Sequence, residues 1–288
     1  MKVLQVAQLG SKSIAQFVLE NVQYILKQSQ QVPVDLQKIA ALRKIVKIEF
    51  MDEDYFFKKL HSYGDRKLDA DLEPVLGGFT VKLSRRYDHL HRRYSLAHEI
   101  IHTFFYDLDC EVPRRIIILE PDLEEKMCEL GASELLMPSQ MFMQFFEELY
   151  NTCKSYASLV KRLANVFDVS CQAATYKLVE KKLLPNPVLI SKWRFRDRRG
   201  YGKSDYRLDW YAKTQQWLPQ LFKDSRLKNR VILNFVSDLA KQELIAFSWE
   251  KDKAIKIGNH KYKGINKVEL LRLDNHMFFP SFLMVLHF

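Results

Sequence analysis

Cysteine is scarce and scattered in this 288-residue chain: Cys110, Cys128, Cys153 and Cys171 never form a C-x-x-C pair. That spacing excludes a zinc knuckle built on paired thiolates and reads as reduced, mostly buried thiols. Long apolar runs are missing as well. No stretch approaches the roughly 20 unbroken apolar residues of a membrane span. Met1 to Gly10 holds one lysine and no apolar run ahead of a small-residue cleavage site, so no secretory signal is expected and the chain reads as cytoplasmic. Internal repeats and low-complexity tracts are absent too. What is present is the 47% hydrophobic and 28% charged make-up of a folded protein, with length for two cores and a small helical insert.

Charge is unevenly divided. Residues 1–185 hold 25 Lys+Arg against 25 Asp+Glu, whereas residues 186–288 hold 20 against 10, so the whole formal charge of +10 belongs to the last third. A basic face of that kind is either plain solvated surface or a patch for an acidic partner such as nucleic acid.

Apolar spacing predicts helices over 14–29 and 35–43, followed by a strand over 45–50. Gly77 and Gly78 predict a turn into a half-buried strand ending near Leu83. A helix over 94–106 is expected next, with Ser95 as its N-cap and Asp107 and Asp109 unfavourable beyond its C-terminus. Ile116 to Leu119 reads as a short buried strand, Pro121-Asp122 opens a helix to about Leu136, and Ser139 caps another to about Tyr150. Two short helices around Asp168-Val169-Ser170, with Leu159, Leu163, Val169, Ala174 and Leu178 apolar, match a helix-turn-helix. Pro185 and Pro187 mark a boundary. Beyond them, strands are expected at 231–236, 243–249, 254–257, 268–273 and 282–286. The fold class is α+β, with a second, smaller mixed α/β domain.

The chemistry concentrates in His98-Glu99-Ile100-Ile101-His102. Four-residue spacing on a helix lets His98 and His102 offer two imidazoles to one ion while Glu99 projects beside them. Zinc suits such a set when a third protein ligand leaves the fourth position to water, and Glu99 then serves as general base. Two histidines and a glutamate on an otherwise apolar, buried helix need partners of some kind, and a hydrogen-bonded core pair is the plainer alternative. A downstream histidine is not the third ligand, because Phe105 and Leu108 stand where the His-x-x-Gly-x-x-His continuation needs glycine and histidine. Glu124, Glu125 and Glu129 on the following helix remain, and spacing does not choose between Glu125 and Glu129.

Two segments, Arg92-Arg93-Tyr94-Ser95-Leu96-Ala97-His98-Glu99-Ile100-Ile101-His102 and Glu125-Lys126-Met127-Cys128-Glu129-Leu130-Gly131-Ala132-Ser133-Glu134-Leu135-Leu136-Met137-Pro138, resemble the paired motifs of the ImmA/IrrE metallopeptidases. The likeness covers about residues 45–184. It implies Zn2+ as cofactor, a zincin-like peptidase domain over 1–150, and Glu125, which opens the second motif, as third ligand beside His98 and His102. Cys128, Glu129 and Gly131 depart from the family's alanine, asparagine and phenylalanine. The resemblance further implies a helix-turn-helix-like unit over 151–185, a basic GAF-like sensory domain over 186–288, and site-specific cleavage of a helix-turn-helix repressor in DNA-damage, mobile-element or antiphage responses.

Within the basic third, Lys192-Trp193-Arg194-Phe195-Arg196-Asp197-Arg198-Arg199 interleaves cations with aromatics. Lys192, Arg194, Arg196, Arg198 and Arg199 would neutralise phosphates while Trp193 stacks on an unpaired base, chemistry suited to single-stranded DNA as an activating signal. The opposite reading buries the aromatics in a core beneath a solvated basic face. A different class also stays open: a DNA-binding transcriptional regulator reading duplex DNA through 155–184, with a structural or vestigial zinc site.

Overall fold

A computed structural model describes residues 11–29, 31–57, 69–196, 205–216, 218, 226–227, 230–239, 242–249, 253–257, 260–274 and 281–288. The chain divides into two compact units: residues up to Met143 together with Asn165–Ser170, and Gln144–Ala164 together with Cys171–Phe288.

In the first unit, helix α1 (Ser11–Leu26) buries Ile14, Val18, Val22 and Ile25 on one stripe, the spacing of an amphipathic helix facing a core. Helix α2 (Leu36–Leu42) starts at Asp35, whose carboxylate accepts from the amides of Gln37 and Lys38, satisfying donors that a helix start leaves free. Strand β1 (Ile45–Met51) pairs in parallel with β3 (Gly78–Ser84), and β3 pairs antiparallel with β2 (Ala70–Val75). At Gly78 a side chain is sterically impossible, since a Cβ would fall 1.9 Å from the carbonyl oxygen of Lys44.

Helix α3 (His89–His102) packs on β2 and β3. It begins five residues earlier than the sequence predicts. Asp88, not Ser95, is the N-cap, accepting from the amide of His91 at 2.9 Å, and Ser95 lies buried inside the helix. A 3₁₀ turn (Thr103–Phe105) ends it and leads into β4 (Tyr106–Asp107), paired with β5 (Arg114–Arg115). The strand expected at 116–119 is not formed; Ile117 is buried but Ile118 is exposed, so the apolar run does not line one side of a sheet. Helix α4 (Pro121–Leu136) carries Pro121 in its first turn, where a missing amide costs nothing. Helix α5 (Ser139–Tyr150) is fastened at its start by Glu134, which accepts from the amide and the hydroxyl of Ser139.

The helix pair α6 (Tyr156–Phe167) and α7 (Cys171–Glu180) turns at Asp168, whose φ is +51°. All five predicted apolar positions, Leu159, Leu163, Val169, Ala174 and Leu178, are buried. The second unit is built on an antiparallel sheet in the order β7-β6-β12-β11-β8. Its strands are β6 (Val188–Arg196), β7 (Asp205–Lys213), β8 (Leu244–Ser248), β11 (Lys267–Arg272) and β12 (Phe282–His287), with β9 (Ile255–Ile257) and β10 (His260–Tyr262) forming a separate ribbon. Helix α7 packs on β7. The segment 231–236, expected as a strand, lies in helix α8 (Arg230–Asp238) instead: Ile232, Val236 and Leu239 are buried at helical spacing in the core with Trp193, Leu270 and Met284. Burial of one helical stripe outweighs the β preference of its Val and Ile residues.

Candidate metal centre

The four-residue spacing on α3 sets His98 and His102 one turn apart, with their Nε2 atoms 3.1 Å from each other. Helix α4 packs against α3 and brings in Glu125. One carboxylate oxygen of Glu125 is 3.2 Å from His98 Nε2 and the other is 3.7 Å from His102 Nε2. Its neighbour Glu124 serves a different atom, lying 2.7 Å from His102 Nδ1, and Arg115 of β5 pairs with the same carboxylate. A carboxylate on Nδ1 holds a proton there, which leaves Nε2 as the atom turned toward the centre. Glu129 is exposed and, among the described residues, pairs with neither imidazole.

Nitrogen and oxygen ligands about 2.0–2.2 Å from a tetrahedral ion stand about 3.3–3.6 Å from one another. The two imidazole nitrogens and the two carboxylate oxygens of Glu125 that face them are already close to that spread, so the set fits a divalent metal ion. Cys128 competes for the third place, since its sulfur and donor atoms of both histidines all lie within 4.8 Å of one another. Burial pushes its thiol up to about 11, whereas Glu125 is half exposed. Burial pulls the pKa of His102 down, but hydrogen bonds to Cys128 and Glu124 outweigh it, and the net shift is upward. Glu99 is 7% exposed; loss of hydration raises its pKa, with His102 and His98 opposing and Asp71 and Glu125 adding. A carboxylate so raised is a stronger base than one in water.

A family model described as the IrrE N-terminal-like domain of the M78 peptidases matches residues 51–179. Residues 51–179 are thus similar to the IrrE N-terminal-like domain of the M78 peptidase family. The family is one of metallopeptidases, and the match spans both α3 and α4. Among solved structures, a Mycobacterium tuberculosis transcriptional regulator aligns with 96% of this chain and 80% of its own length, at 11% identity and a TM-score of 0.45, a likeness too slight to argue from. No curated protein matches.

Within the IrrE-like domain, Gly131 has a packing role. A Cβ there would meet Val18 at 2.8 Å and Ile101 at 2.9 Å, so the glycine lets α1 and α3 both close on α4. Of the residues near the motif with the chemistry to polarise a substrate, His91 is bound to Asp69 and stacked on Tyr87, and His89 is paired with Asp168. Tyr94 remains beside the centre, its ring 6.3 Å from that of His98, with a phenol that burial pushes up to about 12 and so keeps protonated. Arg115 and Glu124 escaped sequence reading in their present role, because nothing in the spacing links an arginine in a two-residue strand to a histidine thirteen positions earlier.

The structure corrects one part of the nucleic-acid expectation. Trp193 is fully buried in the core beside Tyr206, Leu208 and Phe282, with its indole N–H donating to Ser191 at 2.9 Å; its face is not available to a base. Lys192 and Arg194 both pair with Asp209, at 3.2 and 2.9 Å. The main chain of Arg196 ends β6, and Arg198 and Arg199 lie outside the described residues.

Proposed function

We propose that this chain is a zinc-dependent, site-specific endopeptidase that cleaves a helix-turn-helix transcriptional repressor and so releases stress or antiphage genes. The observation that carries the reading is the convergence of His98 Nε2, His102 Nε2 and the Glu125 carboxylate within 3.1–3.7 Å. His98, His102 and Glu125 hold the zinc. The bound ion supplies Lewis acidity toward a peptide carbonyl and a more acidic water. Glu99 accepts the proton of the attacking water and delivers it to the leaving amine. Glu124, backed by Arg115, holds the His102 ring in its working tautomer, and the Tyr94 phenol is a neutral donor for a developing oxyanion.

On this reading residues 1–150 hold the peptidase, 151–185 a helical unit and 186–288 a basic, GAF-like sensory domain. The regulatory signal is single-stranded DNA, bound through Lys192, Arg194, Arg196, Arg198 and Arg199 as phosphate partners, without stacking by Trp193. Support for a sensor comes from the excess of cations in this third. Binding at Lys192 and Arg194 competes with Asp209, so it is strongly weakened by salt. The test is to incubate the zinc-loaded chain with the repressor encoded nearest to it, with and without single-stranded DNA, and to map products by mass spectrometry. One discrete cut, accelerated by the DNA and abolished by a chelator, is expected; an intact repressor under all conditions overturns the reading.

A further inference from the structure

We propose that Cys128 is a fourth protein donor to the metal centre and closes it in the resting chain. The proposal rests on the zinc reading of His98, His102 and Glu125. Cys128 follows Glu125 by three residues on α4 and therefore shares its face. It is wholly buried, and its sulfur lies with donor atoms of His98 and His102 in one group no wider than 4.8 Å. Sulfur and nitrogen ligands of a single zinc stand about 3.6 Å apart, so at most about an ångström of side-chain adjustment brings the sulfur into bonding range.

On binding, the thiol gives its proton to solvent and a sulfur–metal bond forms. Two neutral imidazoles, one carboxylate and one thiolate then balance the two positive charges of the ion, which suits a site flanked by buried side chains. Four protein donors also fill a tetrahedral site and leave no place for water, the arrangement of structural rather than catalytic zinc. The peptidase is therefore latent while Cys128 is bound. It becomes competent when the sulfur–metal bond breaks and water takes the fourth position.

The full-length chain loaded with Co2+ tests this without reference to turnover. Visible ligand-field bands report tetrahedral cobalt, and a near-ultraviolet charge-transfer band reports a thiolate ligand. The wild type is expected to show both. Cys128→Ser and Cys128→Ala should keep the visible bands, lose the near-ultraviolet band, bind the metal at least about tenfold more weakly, and cleave the repressor at a raised basal rate. Visible bands with no thiolate band in the wild type, or a thiolate band that survives in the variants, overturns the role of Cys128 and leaves the three-ligand reading intact. Failure of the wild type to bind cobalt or zinc overturns both. If neither variant folds, zinc-edge X-ray absorption of the wild type decides: one sulfur at about 2.3 Å supports the proposal, and a shell of nitrogen and oxygen alone refutes it.

Discussion

Helices α3 and α4 and strands β6 and β7 start from similar material, charged side chains and rings at short, regular spacing, and the fold uses it in opposite ways. On α3, four-residue spacing stacks His98 and His102 on one face, and α4 adds Glu125 and Glu124 from across the helix interface, so polar groups converge in a buried place. On β6, alternation of cation and aromatic is the two-residue period of a strand, which sends neighbours to opposite faces. Trp193 goes into the core while Lys192 and Arg194 go out to Asp209. Interleaving on a helix gathers unlike groups; interleaving on a strand separates them. A stacking platform for bases needs both kinds on one face, and β6 does not provide that.

The contrast can be broken at several points. If Trp193 is a core residue, Trp193→Ala should lower unfolding free energy by about 3–5 kcal/mol in chemical denaturation; near-normal stability with lost DNA binding would return it to the surface. Glu125→Ala should cost more than about a hundredfold in zinc affinity by competition with a chelator, because it removes a direct donor rather than a supporting one. Glu129→Ala should leave zinc affinity unchanged, and the reverse result would move the ligand one turn along α4. Glu124→Gln should weaken zinc about 10–100-fold through loss of the charged partner on His102 Nδ1. Smallest of all, Lys192→Ala should change stability by less than about 1 kcal/mol, since its pair with Asp209 is partly exposed. Its effect on oligonucleotide binding should appear mainly as a shallower dependence on salt.

The same contrast explains what was legible in the sequence. The H-E-x-x-H spacing needs only helical geometry to be read, and α3 supplies it. The choice among Glu124, Glu125 and Glu129 needs the packing of α4 on α3, which no spacing encodes; family likeness pointed to Glu125, whose carboxylate lies 3.2 Å from His98 Nε2. The start of α3 was misplaced because Ser95 has the chemistry of a cap, but its burial left Asp88 to do that work. Residues 231–236 misled because their composition favours strand while the burial of Ile232, Val236 and Leu239 favours helix. Gly131, at odds with the family motif as a sequence, became intelligible only with Val18 and Ile101 in contact range.

The central claim, that Glu99 moves the proton at a metal held by His98, His102 and Glu125, is tested most directly by measuring zinc content and repressor cleavage side by side in the wild type and in Glu99→Gln. The account predicts that the variant retains zinc like the wild type and loses about 10²–10⁴-fold in cleavage rate. A variant that holds its zinc and still cuts the repressor at the wild-type rate would contradict it.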